Sequence, residues 1–284
     1  MTQVTAIRSS DIDRPVLDLS ADALRMALQQ MIAGSEEHGG VERYVDAVKL
    51  KSTMFQQALS DIEAGELELE AFKGLCTFMS TVRRRIGAWL DENSFAEVRA
   101  ALQELFTDDA SVDERISRFC ARFPDDNDHR WVRDLATETL HNRDPERFPM
   151  MNRWIWDAKA NTGVLREIWH AENIDHIRIP VVDGYGTFLM LREELSQYLS
   201  DNEFFRDVLY YVDVLCAQVY AGYICEQGGT YLRVDFSAPE DPMQHTRRLL
   251  GLDGVRPGSG KTKLKSIDGE AFILDDGHLL NQVD

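Results

Sequence analysis

Two pairs of residues in the middle of this chain have a spacing that metal chemistry uses. Glu138 precedes His141 by three positions, and Glu167 precedes His170 in the same way. Residues three apart share one face of an α-helix, so each pair could turn a carboxylate and an imidazole toward one ion. The spacing also has a plain structural reading. Each Glu would sit on a solvated helix face, and each His near a helix C-terminus, where positive charge complements the dipole.

The pairs resemble half of the motif of di-iron four-helix proteins, in which two Glu-x-x-His helices and one Glu from each of two further helices enclose the metals. That resemblance implies an oxidoreductase using iron or manganese, with Glu138, His141, Glu167 and His170 as ligands. The chain departs from the motif between the pairs: Pro145 and Pro149 stand where a long helix is required.

Other residue types suggest other chemistry. The stretch from His129 to His176 holds four of the five Trp and four of the seven His. Within it, Met151, Trp154 and Ile155 share a helical face and leave Trp156 to another, which suits core packing on two surfaces. An exposed Trp156 would instead make Arg153, Trp154 and Trp156 an interface for another protein. His176 follows Asp175 and could be an oriented general base, although no Ser or Cys stands in a nucleophile-elbow context. Arg83-Arg84-Arg85 offers guanidinium groups that bind carboxylate or phosphate bidentately, or that simply pair with surplus acids around a helix. Gly258-Ser259-Gly260-Lys261-Thr262 fails as a phosphate loop, because Val255 stands where the leading glycine must be. It reads as a basic turn.

The elements that must carry these residues are helices. Ser20 caps a first helix that runs to Gly34; Val41 to Ile62 marks a second, ending near Gly65. A third runs unbroken from Glu66 to Leu90. Ser94 caps the next, and Ser111 with Glu114 forms a capping box. Trp131 to Leu140 is helical, a new helix begins at Trp154-Ile155, and Val164 to Trp169 makes a short one. Ile177 to Val182 is a strand or an extended connector. Leu189 to Leu199 follows, and then Phe204 to Ile224, apolar nearly all round and therefore central, ended by Gly228-Gly229. A β-like run at Thr230 to Phe236, a helix near Met243 to Leu250 and a strand at Ala271 to Leu274 complete the chain.

The expected fold is mainly α: a multi-helix bundle of about eight to ten helices with a small C-terminal appendage containing short β strands. The expected divisions are an arm over 1–19, helical regions over 20–127 and 128–229, which together can form one domain, and the appendage over 230–284. A chain of 284 residues buries a core without staples, and the four scattered cysteines read as free thiols. The net charge of −18 repels phosphate backbones and anionic lipid heads, which disfavours nucleic acid and membrane as partners. No signal peptide or uninterrupted apolar span is visible, so the expected location is cytoplasmic. The resulting expectation is a non-catalytic acidic adaptor or assembly factor that binds another protein through the Trp-rich region or the tail. The metalloenzyme is its alternative.

Overall fold

Short polar side chains open several helices by accepting backbone N–H groups that the helix itself leaves unpaired. Ser20 Oγ accepts from the Ala23 amide at 3.3 Å and starts α1 (Ala21–Ser35). Ser94 does the same for Ala96 at the start of α5 (Phe95–Thr107). At α6 (Val112–Cys120), Ser111 and Glu114 satisfy each other's backbone donors in a reciprocal box. Each cap stabilises its helix by about 1 kcal/mol.

A computed structural model describes residues 14–231, 243–252, 262–265 and 271–274, with side chains over 14–225 and 243–252. The molecule is mainly helical, with eleven α-helices among the described residues. Besides those named, they are α2 (Glu42–Ala58), α3 (Leu69–Thr77), α4 (Ile86–Glu92), α7 (Trp131–Arg143), α8 (Val164–Glu167), α9 (Tyr185–Asp201), α10 (Val208–Tyr231) and α11 (Gln244–Leu249). Two four-residue strands, Thr262–Lys265 and Ala271–Leu274, pair antiparallel with Thr262 opposite Leu274. The basic turn expected to include Thr262 therefore gives way to a strand at that residue, and Gly258 to Lys261 lie outside the described residues.

Two helices are buried on every side through their middles, as central elements must be. In α10, Tyr211 to Gln218 are all buried, and α1, α2, α8, α9 and α11 pack around it. By length and composition its Val208–Cys225 stretch could cross a membrane, but half of that stretch is buried inside the helical body. In α7, Asp134 to Asn142 are all buried, and α2, α5 and α6 cover it. One hydrophobic cluster extends from Leu17 to Leu252, with Trp156, Phe55, Phe72 and Phe119 among its largest side chains. Residues on both sides of the boundary expected at 127/128, Phe123 and Trp131 among them, belong to it.

Several expectations are corrected. The helix expected from Glu66 to Leu90 is two helices, α3 and α4, joined by turns over 78–85. Arg83 folds back and donates to the Thr77 carbonyl, the acceptor that a continuing helix would have used, while Thr77 Oγ1 donates to the Gly74 carbonyl. No helix starts at Trp154. There, Asp134 takes the Arg153 amide, Asp157 takes the Ala160 amide, and an isolated bridge between Asp157 and Thr162 turns the chain. Ile177 to Val182 is an extended connector. Gly228-Gly229 does not end α10, which continues to Tyr231 and absorbs the start of the expected β-like run; residues 232–236 of that run lie outside the described residues.

Candidate anion-binding cleft

The predicted metal residues are the place to begin. Glu138 and His141 are both buried, on one side of α7, and both are fully engaged. Glu138 Oε2 accepts from Lys51 Nζ at 2.9 Å, and Oε1 accepts from Asn152 Nδ2 at 3.0 Å. Lys51 also donates to the Leu250 carbonyl at 3.0 Å. His141 lies between two acceptors: Nδ1 is 2.8 Å from the Phe148 carbonyl, and Nε2 is 3.1 Å from Asp213 Oδ2. Burial opposes a charge on this ring, but the Asp213 carboxylate and the two hydrogen bonds outweigh it and hold the pKa above the ordinary histidine value.

An ammonium group therefore stands where a metal ion would have to bind Glu138. The second pair is placed differently: Glu167 is half-buried at the end of α8, and His170 is exposed, its backbone amide bound to the Asp18 carbonyl at 2.8 Å. Among the described residues no group of three or more His, Cys, Asp or Glu is arranged to hold a metal ion. The spacing did find something. Glu138 and His141 are the hub of a buried polar network that ties α7 to α2 through Lys51, to α10 through Asp213 and to the end of α11 through Leu250.

The tryptophans named for an interface are both covered. Trp156 is 0% exposed and donates through Nε1 to the Val181 carbonyl at 3.1 Å; Trp154 is buried beside Tyr220, ring centroids 6.0 Å apart. Indole rings are large apolar bodies, and here the core uses both. Arg153 is held by Asp134 at 3.1 Å through its guanidinium, and keeps about a quarter of its side chain exposed. It faces a cleft.

That cleft has a volume of about 490 Å³. One wall is the turn between α3 and α4, which supplies Ser80, Thr81, Arg84 and Arg85. The α7 start adds Asn127, Asp128, Arg130 and Trp131, and α11 brings His245, Arg248 and Leu249 from the far end of the chain. Asn127 and Arg130 also border a neighbouring hollow of about 580 Å³. Comparison with protein families, with curated proteins and with solved structures finds no match for this chain. The cleft is read from its own residues.

Its charge is the reverse of the molecule's. Arg130 pairs with Asp157 at 2.8 Å, Arg153 with Asp134, and Arg85 with Asp128 at 3.7 Å. Arg84 and Arg248 meet no carboxylate among the described residues. Two buried polar atoms of cleft residues, Thr81 Oγ1 and Arg153 Nε, likewise have no hydrogen-bond partner among the described residues. Leaving such a group unsatisfied costs about 1–3 kcal/mol.

Close backbone contact fixes the α11 wall. Gly251 has φ +77°, and a Cβ there would lie 1.7 Å from the Phe78 carbonyl oxygen, so only glycine lets the end of α11 rest on the α3–α4 turn. Thr246 adds a hydrogen bond to Gln218 of α10 at 2.9 Å. Of the run Arg83-Arg84-Arg85, Arg83 donates to the Thr77 carbonyl and the other two line the cleft. Arg130 and Arg248 join them with no local signal in the sequence beyond being arginines.

Proposed function

We propose that this protein works by binding: a non-catalytic cytoplasmic adaptor or assembly factor whose helical body carries an anion site in the arginine-lined cleft, with the strand-bearing C-terminal segment as an appendage. One observation carries the reading. Five guanidinium groups converge on a single cleft in a chain with 49 acidic and 31 basic residues. In such a chain the surplus acids would neutralise an ordinary arginine cluster, yet among the described residues Arg84 and Arg248 meet no carboxylate. The recognised group is anionic, since guanidinium is the side chain suited to bidentate carboxylate or phosphate binding.

The metal-enzyme alternative draws no support from the geometry, because Lys51, Asn152, Asp213 and the Phe148 carbonyl occupy the polar atoms of Glu138 and His141. Nucleic acid stays out of the reading because the net charge of −18 opposes a long polyanion over most of the surface.

Thermal unfolding of the whole chain in increasing pyrophosphate tests the cleft. A ligand that binds only the folded state stabilises it by about 2.7 kcal/mol at one hundred times its Kd. The expected result is a Tm that climbs with pyrophosphate and stays flat in the Arg84→Gln/Arg248→Gln double variant. A flat response in the unaltered protein sinks the reading.

A further inference from the structure

We propose that the ligand of this cleft is a phosphate monoester of a small organic molecule, gripped between the α3–α4 turn and α11. This rests on the cleft being an anion site and adds which anion, and what its binding does. Charge is the first argument. Among the described residues, five guanidiniums less the three carboxylates paired with them, Asp128, Asp134 and Asp157, leave +2. One phosphate monoester dianion matches that charge, whereas a single carboxylate leaves half of it uncompensated.

Shape is the second argument. A carboxylate presents two oxygens in one plane; a phosphate presents three around a tetrahedron. The donors here come from three separate elements: Arg84 on the turn, Arg130 and Arg153 beside α7, Arg248 on α11. Such a spread suits the tetrahedral group. Size is the third. A volume of about 490 Å³ lies in the range of clefts that enclose small organic ligands and far exceeds a bare ion. Ile224 and Leu249 give the remaining space an apolar border for the organic part.

The two walls also give binding a mechanical consequence. Arg248 belongs to α11, a six-residue helix, and lines the same cleft as Arg84 and Arg85 of the turn. Like charges on two elements that border one cleft oppose docking; a dianion between them reverses the sign of that interaction. Ligand binding therefore tightens α11 against the body.

Calorimetric titration of the full chain at low ionic strength with inorganic phosphate, ribose 5-phosphate and succinate separates the possibilities, with hydrogen exchange of the α11 amides as a second readout. Ribose 5-phosphate is expected to bind one per chain, at least about tenfold tighter than succinate, and to slow α11 exchange. Arg84→Gln and Arg248→Gln should each weaken it about tenfold, while Arg25→Gln, on the exposed side of α1, leaves it unchanged. Succinate binding as tightly as the ester overturns the phosphate assignment and leaves the anion cleft standing. Inorganic phosphate binding as tightly as the ester overturns the organic part, and unchanged α11 exchange in the saturated protein overturns the clamp. Heat from none of the three, together with a Tm insensitive to pyrophosphate, removes the anion cleft itself.

Discussion

At the scale of single residues, the most consequential pair is Lys51 with Glu138, both about 4% exposed and 2.9 Å apart. Removing one partner strands a charge in the core, so Glu138→Gln and Lys51→Met are each expected to cost about 3–5 kcal/mol in urea unfolding. Replacing both by apolar residues of similar volume should recover most of that loss, because neither charge is then left alone. If the double variant is as unstable as the worse single one, the pair is not the source of the cost.

His141 makes stability depend on pH. Its folded-state pKa is raised above the ordinary value by the Asp213 charge and its hydrogen bonds acting against burial. The imidazolium thus favours the folded state fully below the unfolded pKa of about 6.5, and that contribution fades as pH rises through the folded pKa. Urea unfolding followed upward from pH 6 should show this loss, and Asp213→Asn should flatten it. A slope that survives Asp213→Asn assigns the titration to another group.

At the scale of elements, α6 and α11 offer contrasting tests. Ser111→Ala removes one half of a capping box and should lower stability by about 1 kcal/mol without touching the core. Gly251→Ala should do more, since a Cβ there both strains φ +77° and collides with the Phe78 carbonyl. The expected sign is faster hydrogen exchange in α11 with unchanged protection in α7. Equal loss of protection in both helices would mean that α11 does not loosen separately.

These two helices also show what a sequence can carry. The α6 cap was legible because Ser111 and Glu114 are three positions apart and need only each other. The break after Thr77 was not, because it depends on Arg83 reaching back to a carbonyl rather than on any helix-breaking residue. Periodicity put Trp156 on a different face from Trp154, but could not say that both faces are covered. Glu138 and His141 were legible as a shared face, but their partners Lys51 and Asp213 come from α2 and α10 and left no local trace. The cleft was hidden for the same reason: its arginines lie between positions 84 and 248 and meet only after folding.

For the whole molecule, the sign of the charge sets how the cleft fills. The net −18 repels an approaching dianion at long range, while the cleft attracts it at contact. Added salt screens the first over about 8 Å at physiological strength, and the partly buried second much less. Stopped-flow binding of ribose 5-phosphate should therefore show an association rate that rises between low and moderate salt, opposite to ligands steered by an oppositely charged surface. A rate that falls monotonically would mean that the local field of the cleft dominates the approach.

The docking of α11 has a consequence for how the chain is made. Lys51 donates to the carbonyl of Leu250, a contact spanning 199 positions, and Gly251 rests on Phe78. A ribosome adds residues at about 5–20 per second, so α2 and α7 wait roughly ten seconds or more after the first of them emerges before the last wall arrives. During that interval the ammonium of Lys51 lacks first both acceptors and then, once Glu138 has been added, the Leu250 carbonyl alone. The nascent body thus lacks one side of the cleft, and the ten described residues 243–252 supply it.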